Sequence, residues 1–301
     1  GGGELTGRAW GVGGVVHRAL ALPAGVVDPA RVATQLLGPL DEALDGAERI
    51  RVLSSGPGAS IPVHALPWRG EPLILQRPVV YGLDLPTAGW TGTVARGGAL
   101  ILSDDEAGGA PAEALAVEEL LASETRAVKR FDTSHGQAVQ IREQLGLNEH
   151  FYYVGHGYYS DAPEARRLRL WPPYPGGAAS EPSYLPLDGV SRLEVPDILM
   201  MPTAPRSVVL MACASGVTDD RTSRGGLSLA AAFLGAGTRV VIASTRVVES
   251  ADAYVLGRGL HQRLGSEAET DPGQWMAHGL RWALDHGMRA EAIAHYRVYV
   301  P

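Results

Sequence analysis

Phe151-Tyr152-Tyr153-Val154-Gly155-His156-Gly157 and Ser207-Val208-Val209-Leu210-Met211-Ala212-Cys213-Ala214-Ser215-Gly216 are two apolar runs, each closing on a residue with acid–base or nucleophilic chemistry. Short apolar runs bounded by glycine and small residues fit fully buried strands. Ile50 to Leu53, Ala99 to Leu102 and Arg239 to Ala243 have the same character, while Leu73-Ile74-Leu75 and Val79-Val80-Tyr81 read as a hairpin or edge pair. Between the runs, apolar residues recur at helical spacing. Pro111 to Arg130 carries Leu115, Val117, Leu120 and Leu121 in that pattern, and helices are expected over Gln137 to Leu145, Leu227 to Leu234, Ala251 to Leu264 and Trp275 to His286. Strands separated by helices predict an α/β fold with a mostly parallel central sheet.

The rest of the chain bounds this reading. With 301 residues, 45% apolar and 20% charged, the composition is that of a globular protein able to bury a sizeable core without disulfide or metal. No linker divides it, so residues 1–301 are read as a single domain. The opening Gly1-Gly2-Gly3 with no Met is read either as a trimmed start or as part of a longer protein or complex. The net charge of −7 argues against a dedicated nucleic-acid binder. No run reaches the length of a membrane span and no signal peptide is recognisable, so a cytoplasmic location is expected. The single cysteine, Cys213, excludes an internal disulfide and a cysteine-based zinc site. The single lysine, Lys129, follows no glycine loop, so there is no P-loop. The proline-rich stretch from Gly157 to Asp188 is read as one long functional or mobile loop.

In a parallel α/β sheet the carboxyl ends of the strands line the ligand crevice. His156 and Cys213 each follow directly on a strand, so they converge if those two strands are neighbours. Glycines flank His156 and small residues follow Cys213, which lets backbone N–H groups approach a substrate closely. A thiol is mostly protonated near neutral pH. A nearby imidazole can take its proton as the substrate arrives and return it to a leaving amine. Taken singly, a cysteine after a strand is more often a small core residue, and a lone histidine more often structural. Their joint placement is what points to chemistry.

These residues resemble the His and Cys motifs of the CHAT-domain proteases, which are caspase-like cysteine peptidases related to caspases and separase. Arg51-Val52-Leu53 through Pro62-Val63-His64-Ala65-Leu66 resembles the family's early strand and turn. Leu115 to Leu121, with Glu118 and Glu119, resembles its glutamate-bearing helix, and Gly226-Leu227 to Ala243 the helix and strand after the cysteine. The resemblance implies a caspase-like three-layer sandwich and a dyad, with His156 as general acid/base and Cys213 as nucleophile. It places the oxyanion hole at the N–H groups of Gly157 and Cys213. It further implies a protein or peptide substrate, a chemistry that needs no cofactor, a regulatory domain or activator protein, and a place in bacterial stress or defence; no metal, nucleic acid or membrane partner is expected from the residues themselves. The loops Gly157 to Asp188 and Ala214 to Gly225 are the segments expected to order on activation.

The chain departs from the family in one segment. The family's strand after the cysteine usually closes on Trp-x-Val-x-Asp; here it reads Thr245-Arg246-Val247-Val248-Glu249. That segment borders the pocket for the residue before the scissile bond in caspase-like enzymes, so two opposed readings stay open. Arg246 selects an acidic side chain through a bidentate pair, as in caspases. Alternatively Asp161, Asp219, Asp220 or Glu249 lines the pocket and selects Arg or Lys, as in separase-like relatives. A third, bland reading makes Arg246 and Glu249 a solvated ion pair.

Other features carry less. Gly226-Leu227-Ser228-Leu229-Ala230 lacks the strand a nucleophile elbow needs, so Ser228 reads as a helix start rather than a serine nucleophile. Gly11-Val12-Gly13-Gly14 lacks the setting of a dinucleotide site, and the histidines show no metal-binding spacing. Arg166-Arg167-Leu168-Arg169 is a solvated charge run, a contact for an acidic partner, or a self-cleavage site. A catalytically inactive scaffold of the same fold is the alternative to the peptidase.

Overall fold

The computed structural model describes residues 28–54, 59–82, 93–95, 97–123, 127–134, 136–157, 183–188, 190–213, 215–216, 227–262 and 271–301, and the backbone of 4–11 and 14–21. The N-terminal strands β1 (Glu4–Gly11) and β2 (Gly14–Ala21) form an antiparallel hairpin of their own. The main sheet takes eight strands: β3 (Ile50–Leu53), β4 (Val79–Gly82), β5 (Ala99–Ser103), β6 (Val128–Asp132), β7 (His150–Gly155), β8 (Ser207–Ala212), β9 (Val240–Ser244) and β10 (Tyr296–Val300). Their order is β3-β4-β10-β9-β8-β7-β5-β6. Every adjacent pair is parallel except β9–β10.

Helices cover both faces. They are α1 (Pro29–Leu36), α2 (Ala110–Ser123), α3 (Ala138–Leu145), α4 (Leu229–Gly235), α5 (Ser250–His261) and α6 (Pro272–Asp285). Successive strand residues point to opposite faces. Phe151 meets Phe233 of α4, while Tyr152 donates a hydrogen bond to Glu113 of α2. So α2 and α4 lie on opposite sides of the sheet, with α5 packed against α2 and α6 against α5. The result is the expected three-layer α/β architecture. The central strands β7, β8 and β9 are buried on both faces from His150 to Val154, Ser207 to Ala212 and Val240 to Ser244, which is why they read as continuous apolar runs.

Local chemistry sets the helix ends. Asp28, Ser228 and Asp271 accept backbone N–H groups at the starts of α1, α4 and α6, and Pro29 and Pro272 occupy first helical positions. Ser228 therefore spends its hydroxyl on the Ala231 N–H, at 3.1 Å, consistent with a helix start.

Two expectations from the sequence need correction. Leu73–Gln76 is a helical turn and not a strand, while Val79–Gly82 is a buried strand paired with β3 and β10 rather than part of a hairpin. The helix expected over Pro111 to Arg130 ends at Ser123, and Val128–Asp132 is the edge strand β6. An edge strand needs only one partner, and its exposed Lys129 and Arg130 suit that position. Along α2 the buried stripe is Ala110, Glu113, Ala114, Val117 and Leu121, and Leu115 is 48% exposed. Of the helix's glutamates, Glu118 pairs with Arg130 at 2.7 Å and Glu119 is exposed; the buried carboxyl is Glu113.

Candidate active site

The strands carrying His156 and Cys213 are hydrogen-bonded neighbours. In the β7–β8 register Val154 faces Met211 and Gly155 faces Ala212, so one further step sets His156 beside Cys213. In the β8–β9 register Leu210 faces Ala243 and the pairing stops there; beyond it the Ser244 hydroxyl bridges Ala212 O and Arg246 O. Adjacent strands lie about 4.8 Å apart, so His156 and Cys213 fall side by side just past two neighbouring strand ends.

Close backbone contact joins the His and Cys ends. A β-carbon on Gly157 would stand 2.1 Å from the Cys213 carbonyl oxygen and 2.9 Å from its nitrogen. Only glycine permits that approach. His156 is exposed and Cys213 half-buried. The thiol lies 3.9 Å from the Val248 carbonyl oxygen. Burial pushes the Cys213 thiol above its ordinary value, only partly offset by the Val248 hydrogen bond. Burial thus favours the protonated thiol over the thiolate.

The end of β9 is tied to the turn after Cys213. Gly216 N–H donates to Ser244 O at 2.7 Å, and the Ser244 hydroxyl lies 2.6 Å from Ala212 O. Beside them sit two guanidinium groups, Arg246 and Arg297, and the imidazole of His295. Arg297 is 6% exposed, stacks over Tyr81 at 4.4 Å and donates to Ile61 O at 3.1 Å. Its Nε, and Nδ1 of His295, are buried without a hydrogen-bond partner among the described residues. Burial, then the charge of Arg297, pulls the Arg246 guanidinium below its ordinary value. Burial, then the charge of Arg246, does the same to His295.

Glu249 points elsewhere: its carboxylate pairs with Arg289 at 2.7 Å, and Arg289 also pairs with Asp252 at 2.6 Å. Asp161, Asp219 and Asp220, like Arg166, Arg167 and Arg169, lie outside the described residues. Lys129 is exposed and donates to Gln144 at 2.7 Å. Among the described residues no group of three His, Cys, Asp or Glu side chains is placed to hold a metal ion, and no helix is long and apolar enough to cross a membrane.

Sequence reasoning missed Arg297, whose strand β10 it did not read, His295 in the helical turn Ala290–His295 just before that strand, and Asp104 just past the end of β5. Asp104 had a usable signal, since it follows an apolar run just as His156 and Cys213 do.

A mostly parallel eight-stranded sheet with helices on both faces, and histidine and cysteine at adjoining strand ends, makes this a three-layer α/β protein. The CHAT domain model matches residues 28–291, and the chain belongs to that family. No curated protein matches it. Among solved structures it is similar to two crystal structures of the Saccharomyces cerevisiae separase–securin complex, each at 11% identity and a TM-score of 0.49, covering 81% of this chain. The chain spans 15% and 14% of the length of those chains.

Proposed function

We propose that this chain is a cysteine endopeptidase working through a His156–Cys213 dyad. The observation that carries the reading is the contact of Gly157 with the Cys213 backbone, which brings the two strand ends together. The imidazole of His156 takes the thiol proton as Sγ adds to the scissile carbonyl carbon. The N–H groups of Gly157 and Cys213 receive the oxyanion. The C–N bond then breaks and the imidazolium proton goes to the leaving amine. Water, deprotonated by His156, hydrolyses the thioester and regenerates the thiol. None of these steps requires a cofactor.

Of the two charge preferences, the guanidinium groups of Arg246 and Arg297 support an acidic residue before the scissile bond. Glu249, committed to Arg289, gives the basic preference no support. Control by a partner or neighbouring domain, a cytoplasmic location and a role in bacterial stress or defence rest on the family resemblance and belong to the same proposal.

One observation favours a second reading, a catalytically silent interaction module of this fold: the thiol is half-buried and its ionisation is suppressed. Proteome-wide mapping of new N-termini separates the two, comparing the chain with Cys213→Ala and His156→Ala. Termini that disappear in both variants establish the peptidase. Identical maps from all three, in the full-length protein with its partners present, establish the silent module.

A further inference from the structure

A third neighbouring strand brings a side chain to this site. β5 lies beside β7, and the first residue after it, Asp104, is 3% exposed. Its Oδ2 accepts the His156 N–H at 3.1 Å. Its Oδ1 accepts the Glu106 N–H at 3.1 Å and the Thr133 hydroxyl at 3.2 Å. Thr133 is itself fixed, its N–H donating to Ser103 O at 3.1 Å and its Oγ1 accepting the Asp105 N–H at 3.3 Å. On the other side of the peptide, the Tyr153 hydroxyl donates to His156 O at 2.8 Å. Side chains therefore hold both main-chain polar groups of His156. Gly155 makes room: a β-carbon there would lie 2.2 Å from Cβ of Asp104.

This arrangement is costly as structure alone. A buried carboxylate is expensive without a charge partner, and among the described ion pairs none includes Asp104. All three of its partners are donors, a set that matches a carboxylate, whereas an amide would turn an NH2 group toward one of them. A local rule broken without a compensating ion pair is characteristic of functional positions.

We infer that Asp104 is a positioning residue, whose carboxylate fixes the His156–Gly157 main chain and so aims the imidazole at the thiol and the Gly157 N–H at the place of the oxyanion. It acts through His156 and touches no reacting atom. Its catalytic consequence rests on the peptidase reading; its geometric consequence does not.

The test has two arms on the same proteins: wild type, Asp104→Asn and Thr133→Val. In the first, amide hydrogen exchange at His156 is measured. Asp104→Asn is expected to speed it by about tenfold or more while core strand amides stay protected. In the second, steady-state kinetics on a cleaved peptide are expected to show kcat about tenfold lower or worse with KM within about twofold. Thr133→Val, which removes one donor to Oδ1, is expected to give smaller changes of the same sign. It carries the test if Asp104→Asn does not fold. Unchanged exchange at His156 overturns the positioning role. Faster exchange with unchanged kcat overturns its catalytic consequence. A wild type that cleaves nothing, as the full-length protein with its partners present, overturns the peptidase reading and leaves the exchange arm to decide the geometry.

Discussion

Gly157 lies so close to Cys213 that a β-carbon on it would stand 2.1 Å from the Cys213 carbonyl oxygen. The atom it would strike is backbone at the end of a buried strand, so neither side can yield without moving β7 away from β8. Gly157→Ala is therefore expected to separate the two halves of the site. Overpacking of this kind costs about 1–3 kcal/mol of stability. A displacement near 1 Å costs about a hundredfold in turnover. Denaturant melts and kcat/KM of the variant check this. A Gly157→Ala protein with wild-type turnover would show that the contact has no part in catalysis.

The burial of Cys213 predicts a slow thiol. Because desolvation pushes its ionisation above the ordinary thiol value, the thiolate fraction at neutral pH is smaller than that of an exposed cysteine. Alkylation by iodoacetamide should be slower at pH 7.5 than for a free thiol, with its midpoint displaced to higher pH. Slow labelling alone therefore does not identify a structural thiol. The discriminating measurement adds a substrate-like peptide aldehyde. In the peptidase it competes with alkylation at Cys213, and in a silent module it has no effect.

What the sequence disclosed follows from burial. His156 and Cys213 were legible because β7 and β8 are buried on both faces, so each reads as an unbroken apolar run with its chemistry at the end. The same logic overlooked Asp104, because Ser103-Asp104-Asp105-Glu106 has the composition of a solvated turn. Strand β10 escaped notice because Arg297 interrupts Tyr-Arg-Val-Tyr-Val; its charge is buried against the Tyr81 ring, a contact from a distant part of the chain. The overlong helix had a similar cause. Val128-Lys129-Arg130-Phe131-Asp132 has no clean alternation, and it becomes a strand only by pairing with Ala99 to Ser103. Glu113 was invisible as a core residue, since its partner Tyr152 comes from a strand far along the chain.

Arg246, two residues before the Val248 carbonyl that meets the thiol, and its neighbour Arg297 predict a charge preference that can be removed. Peptides varied only at the residue before the bond should be cut best with Asp or Glu there. Arg246→Gln should lose that preference by about tenfold or more, since a charge-assisted hydrogen bond is worth roughly 1.5–3 kcal/mol. Equal cutting after neutral residues by the wild type would refute the acidic preference while leaving the dyad intact.

Glu113 predicts a stability that falls with alkalinity. Burial on α2 pushes its carboxyl up to about 8, and the hydrogen bond from Tyr152 only partly opposes this. The folded chain keeps the proton that the unfolded chain loses near 4.5, so it binds more protons over that window. Stability is therefore full below about 4.5 and declines as pH rises toward 8. At 1.36 kcal/mol per unit, the group contributes a decline of roughly 5 kcal/mol at most. Glu113→Gln keeps an acceptor for Tyr152 and removes the titration, so its unfolding free energy should be flatter between pH 5 and 8. Parallel curves for variant and wild type would show that Glu113 is already ionised in the fold.

His64 sets the opposite slope at the acid end. Its Nε2–H donates to Ile293 O at 2.9 Å, and its Nδ1 lies 2.7 Å from the Tyr81 hydroxyl, whose proton it accepts. Both ring nitrogens are thus committed in the neutral form. Burial, then the charge of Arg297, holds the imidazole down to about 3. The unfolded chain takes up a proton near 6.5 that the folded chain refuses. Stability from this group is full above about 6.5 and is lost as pH falls toward 3. His64→Gln supplies one donor and one acceptor without the titration. It should lower stability at pH 8 by about 1–3 kcal/mol through imperfect hydrogen bonding. It should also weaken the acid dependence, so that the curves of variant and wild type converge on acidification. Urea melts at pH 8, 6 and 4 read both effects. A constant gap across the three would mean that the buried imidazole does not govern acid unfolding.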